Sequence, residues 1–104
     1  MVEHITNDVF EEKVSNASKP VIVDFYADWC GPCKRLAPIF EELSEEVPDV
    51  DFYKVNVEEA ADLAGQFGVA SIPTLIIFKD GEQVDRIQGL MQKEELKSVL
   101  ESKV

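Results

Sequence analysis

The chain is short of several things, and each shortage removes a class of protein. Among 104 residues there are two cysteines, Cys30 and Cys33, and one histidine, His4. That excludes the dense disulfide framework of small secreted domains. Basic residues are scarce: 10 Lys and Arg against 21 Asp and Glu leave a net charge of −11. Nucleic acid and anionic membrane both call for clustered positive charge, so neither is expected as a partner. No apolar run approaches the ~18 residues of a membrane-spanning helix. The opening stretch, Met1 to Lys13, is acidic and lacks the charged-then-apolar pattern of a secretion signal, so a cytoplasmic location is expected. No repeat, low-complexity tract or linker interrupts the chain. The expectation is one domain over 1–104, monomeric by default.

What is present is a hydrophobic content of 45%, enough for a buried core without metal or multiple disulfides. The pattern alternates strands and helices. Val2 to Ile5 reads as a short strand. Thr6 or Asn7 caps a helix to about Ser15, with Val9, Phe10 and Val14 inward. Val21 to Ala27 is nearly all apolar, as in a central strand covered on both faces. A helix follows from about Cys30 to Glu46, with Leu36, Ile39, Phe40, Leu43 and Val47 on one face and a kink expected at Pro38. Asp51 to Val57 is a strand and Glu58 to Phe67 a short helix. Thr74 to Phe78 is a buried strand, Asp80-Gly81 a hairpin turn, and Gln83 to Gln88 the returning strand. Gln92 to Ser102 closes the chain as a helix with a poor cap. The early units demand parallel strands and the late hairpin antiparallel ones. The fold class is therefore α/β, one mixed sheet with helices on both faces.

The chemistry concentrates where the central strand hands over to the long helix, at Trp29-Cys30-Gly31-Pro32-Cys33-Lys34. Cysteines three apart in a helical turn have Cα atoms roughly 5 to 6 Å apart, inside the disulfide window. Pro32 suits a first-turn position that needs no N–H, and Gly31 permits close backbone approach. A thiolate at a helix N-terminus is stabilised by unpaired N–H groups and the helix dipole. Cys30, nearest the end, is the candidate nucleophile. Cys33 lies deeper and is the candidate resolving thiol, with the lower exposure of the two. Asp24 interrupts an apolar strand; a buried carboxyl there would tend to keep its proton and could take one from Cys33.

Blander readings stand beside these. A Cys-X-X-Cys pair is half a zinc site, but structural zinc takes about four Cys or His ligands and only two cysteines and a distant histidine exist. Asp24 could face outward from an edge strand. Trp29 reads equally as a core aromatic or as a wall facing substrate. Lys54 is either strand-surface charge or a partner of Asp24. Pro73 is either a strand-opening trans proline or a cis bond that aims the Ile72 backbone at a bound peptide. Lys34 and Arg35 read as a solvated face, and His4 as incidental.

Taken together the sequence resembles the thioredoxin family over about residues 5 to 101. The resemblance lies in the Trp29 to Lys34 motif, Asp24 within Val-Asp-Phe-Tyr-Ala, Pro38, Lys54, Ile72-Pro73-Thr74-Leu75, Asp80-Gly81 and Gly89, all at the family's spacings. It implies a thioredoxin fold of five mixed strands flanked by four helices. It implies a general protein disulfide reductase, in which Cys30 attacks, Cys33 resolves, Asp24 accepts a proton and Lys54 tunes it. Trp29, Gly31, Pro32, Ile72, Pro73 and Gly89 would border the groove for a client segment, with Ile72 pairing like an added strand. The cysteine pair would carry the electrons itself, with no cofactor or metal. The partners implied are disulfide-containing client proteins and a thioredoxin reductase. Ala70, Gln88 and Leu90 depart from the family's common residues on the docking rim. An assembly subunit with dispensable cysteines is the competing class of function.

Overall fold

A computed structural model describes residues 1–104. Its central strand, β2 (Val21–Tyr26), has five of six residues buried, because the sheet is covered on both sides. Side chains alternate across a strand, so β2 feeds two cores. Ile22 faces one with Phe52, Leu75 and Ile77. Val21, Val23 and Phe25 face the other with Val55, Ile76 and Phe78. The first core is roofed by α2 (Gly31–Glu46) through Leu36, Phe40 and Leu43 and by α4 (Lys93–Lys103) through Leu96 and Leu100. The second is roofed by Phe10 and Val14 of the N-terminal helix and by Leu63 of α3 (Ala61–Gln66). Each such aliphatic side chain contributes about 1.5–3 kcal/mol by leaving water.

The five strands are ordered β1-β3-β2-β4-β5, where β1 is Val2–His4, β3 Asp51–Asn56, β4 Thr74–Lys79 and β5 Glu82–Gln88. The pairs β1–β3 and β3–β2 are parallel; β2–β4 and β4–β5 are antiparallel. The register of the three strands β1, β3 and β2 brings polar side chains together. His4 pairs with Lys54, and Lys54 with Asp24, whose antiparallel neighbour is Leu75. In-register neighbours share a face, so Asp24, Lys54 and His4 lie in a row on the α2 side of the sheet.

The expected elements all form, with local shifts. The N-terminal helix begins as α1 (Asn7–Phe10) and finishes as a wider π-type turn over Glu11–Ser15, closed by the Asn16 N–H on the Glu11 carbonyl at 2.9 Å. Thr6 makes no cap bond to the backbone; its hydroxyl donates to the Asp8 carboxylate. Strand β2 stops at Tyr26 and β3 at Asn56. Helix α3 starts at Ala61 rather than Glu58 because Asn56 builds a turn first: its side-chain oxygen accepts the Glu58 N–H (2.8 Å) and its carbonyl the Ala60 N–H (2.9 Å). Helix α2 runs on through Pro38. Gln92 gives α4 no side-chain cap.

The hairpin between β4 and β5 turns at Asp80 (φ 54°) and Gly81 (φ 81°), both left-handed. Gly81 also packs so closely on the Ser15 carbonyl that a Cβ would overlap it. Val84 has no partner, since Ile77 pairs with Asp85 and Phe78 with Gln83; this bulge is why Val84 and Ile87 break strict alternation.

Candidate active site

After β2 the chain turns through Ala27, Asp28 and Trp29, a turn closed by the Cys30 N–H on the Ala27 carbonyl at 3.2 Å. This delivers Cys30 in an extended conformation as the cap of α2, not as its first helical residue. Its Sγ accepts the Cys33 N–H at 3.2 Å, doing with sulfur what Ser or Asp oxygen does at other helix starts. Pro32 sits in the first turn, where its missing N–H costs nothing. Cys30 and Cys33 are joined as a disulfide with Cα atoms 5.2 Å apart. A sulfur anion at Cys30 would meet both that N–H and the positive end of a 16-residue helix.

The expected difference in exposure between the cysteines is absent: both are 4% exposed. They are distinguished by surroundings instead. Cys30 Sγ lies 3.8 Å from the Ile72 carbonyl oxygen. Cys33 lines a cavity of about 290 Å³ together with Asp24, Tyr26, Pro38, Glu41 and Lys54. An adjoining cleft of about 180 Å³ reaches the same cysteine past Tyr26, Asp28, Lys34 and Lys54. Each is large enough for several water molecules. The largest cavity, about 390 Å³, is lined by Met1, Ser44, Tyr53 and neighbours and by none of these residues.

Asp24 is 3% exposed, and its Oδ1 has no hydrogen-bond partner. Burial drives its carboxyl from the ordinary 3.8 up to about 7, with the Lys54 charge opposing. The outward, edge-strand reading of Asp24 is thereby ruled out. Lys54 makes no ion pair with it; the ammonium sits 5.0 Å from the centroid of the Tyr26 ring. Burial, then the Asp28 and Glu59 carboxylates, hold the Tyr26 phenol above its ordinary value.

Around the cysteines, Trp29 is 68% exposed, a surface residue and not a core one. Gly31 and Pro32 are exposed, Ile72 and Gly89 half-buried and Pro73 buried. The Ile72–Pro73 bond is cis. Gly89, at φ 92°, donates its N–H to the Pro73 carbonyl at 2.9 Å, which ties the end of β5 to the proline loop. Arg86 braces the start of that loop from β5 by donating to the carbonyls of Phe67 and Gly68. Nothing in the sequence marks Arg86 or Tyr26 for the site, and His4 reads there as incidental. Yet His4 Nε2 lies 2.9 Å from Glu59 Oε1, and its ring meets Tyr26 edge-on at 6.3 Å. Only strand register could have revealed these neighbours. No group of three or more His, Cys, Asp or Glu side chains converges as a metal cluster.

A cysteine pair that closes on itself at a helix start, above a lone buried acid, defines a dithiol–disulfide exchange protein. Comparison with known proteins gives the family. The thioredoxin family model matches residues 1–102. Thioredoxin of Mycoplasmoides gallisepticum is 44% identical over 99 residues, 95% of this chain and 99% of that one. Thioredoxin of Chlamydia muridarum is 48% identical over 96 residues, 92% of each chain. Thioredoxin 1 of Synechococcus elongatus is 44% identical over 98 residues, 93% of this chain and 92% of that one. The chain belongs to the thioredoxin family, and its activity is protein disulfide oxidoreduction by dithiol–disulfide exchange. Such exchange calls for disulfide-bearing client proteins and a reductase that restores the dithiol. No helix is long and apolar enough to cross a membrane.

Proposed function

We propose that this chain is a general protein disulfide reductase, one domain over 1–104 acting as a monomer in the cytoplasm. Cys30, as thiolate, attacks a client disulfide. A mixed disulfide forms, the client S–S bond breaks, and the departing client sulfur takes a proton. The Cys33 thiol then gives its proton to Asp24 through cavity water and attacks Cys30 Sγ. The mixed disulfide breaks, the second client thiol leaves, and Cys30–Cys33 closes as a disulfide. Two electrons and two protons have passed to the client, and a thioredoxin reductase returns them. Lys54 tunes Asp24. The exchange itself calls for no cofactor or metal, since the sulfur pair carries the electrons.

The observation that carries this reading is the unpartnered Asp24 carboxyl in the same cavity as Cys33. A carboxyl held at about 7 is half ionised at neutral pH, ready to accept a thiol proton and to release it. The groove has support too. Trp29, Gly31 and Pro32 adjoin the cysteines in sequence, Ile72 packs against them, Gly89 is tied to Pro73 beside it, and the Ile72 N–H makes no backbone hydrogen bond within the chain. An extended client segment can pair there as an added strand while its sulfur meets Cys30. Backbone pairing reads little sequence, which suits a general reductant. The test is reduction of a model protein disulfide with dithiothreitol as electron source. Wild type should accelerate it and Cys30→Ser should not; equal rates would remove Cys30 from the nucleophile's role.

A further inference from the structure

Lys54 and Asp24 face each other in adjacent strands, on the same side of the sheet. Opposite charges at that spacing ordinarily pair, all the more where one is buried. Here they do not. Asp24 Oδ1 is unpartnered, and the Lys54 ammonium rests over Tyr26, which lies two residues along the strand from Asp24 and on its face. Tyr26 is itself held: His4 abuts its ring and is anchored on Glu59. The other groups facing Asp24 supply no competing cation. Helix α2 presents Cys33 and Glu41 to the Asp24 cavity and Lys34 only to the adjoining cleft, the β4 neighbour is Leu75, and Asp28 and Glu59 lie at the Tyr26 end.

We propose that Tyr26 is a positioning residue for the exchange reaction: its ring holds the Lys54 ammonium away from the Asp24 carboxylate, leaving that carboxylate free to take the Cys33 proton. The proposal rests on the reading of Asp24 as proton acceptor. An aromatic face attracts a lysine ammonium strongly enough to compete with a carboxylate reached only by entering a cavity. With the ring gone, the shorter path leads to Asp24. A direct ion pair there would lower its titration midpoint by roughly one to three pH units.

The test follows the Asp24 carboxyl by ¹³C NMR in the oxidised protein, where neither cysteine titrates. Tyr26→Phe keeps the ring and should titrate as wild type. Tyr26→Leu should titrate lower by about one pH unit or more. In a Lys54→Gln background Tyr26→Leu should produce no such drop. A drop of equal size with and without Lys54 would assign the effect to water entry and overturn the proposal. So would no drop, or an equal drop in Tyr26→Phe. One reading needs no variant: the Lys54 ε-methylene protons of wild type should be shifted upfield by the ring, and ordinary shifts would overturn the proposal as well. The underlying reading fails separately, if Asp24→Asn resolves mixed disulfides at the wild-type rate.

Discussion

Replacing Asp24 with Asn should make the protein more stable, and by an amount that depends on pH. A carboxyl that titrates near 3.8 in the unfolded chain and at about 7 in the fold links folding to a proton. The sign follows from which state holds the proton more tightly, and here it is the folded one. The favourable contribution is complete below pH 3.8 and drains away as pH rises toward 7, because the fold must then bury a charge or keep a proton the unfolded chain would release. One pH unit is worth about 1.4 kcal/mol, so the whole interval amounts to about 4 kcal/mol. Against a typical domain stability of about 5–15 kcal/mol that is a large share. The assay is urea unfolding of the oxidised protein and of Asp24→Asn from pH 4 to 9. Other carboxylates contribute to both proteins and cancel in the difference. The difference should change by about 1.4 kcal/mol per unit between roughly pH 4.5 and 6.5 in favour of the variant, then level off above about 8. The buried Asn amide adds an offset that does not vary with pH. A difference that is flat over the whole range would show that Asp24 titrates normally and would refute the cavity argument.

Two other outcomes are expected. Cys33→Ser should accumulate a covalent complex with a client protein through Cys30, seen as a reducible band of summed mass; normal client release would contradict the resolving role. Gly81→Ala should lower stability by about 2–3 kcal/mol in urea unfolding, since it combines a left-handed backbone with overlap at the Ser15 carbonyl; an unchanged midpoint would show that the turn adapts freely.

Much of the fold and the site was legible in the residues because local rules and tertiary structure agree. The apolar run from Val21 to Tyr26 put a central strand under the cysteines, and the lone Asp24 within it marked the acid. Asp80-Gly81 specified its turn, and the three-residue spacing of Cys30 and Cys33 specified a closable pair. What was not legible lies in non-local geometry. The start of α3 was misplaced because an Asn56 side chain, not a propensity, sets it. The cysteines read as differing in exposure, but the fold buries both alike, since the cap position of Cys30 is covered by the Ile72 loop as well as by its own helix. The isomer before Pro73 is not written in the local residues, which suit either form. Tyr26 reads as an ordinary strand residue because only the register brings Lys54 and His4 beside it.

The edges of the sheet have a consequence of their own. A protein that opens the disulfides of others works among loosened chains that seek strands to pair with. Its outer strands offer them little: β1 is three residues long, and β5 is bent at Val84 and studded with Glu82, Asp85 and Arg86. A short or kinked margin is a poor template for amyloid-like growth. Neither margin of the sheet therefore invites a client chain to extend it.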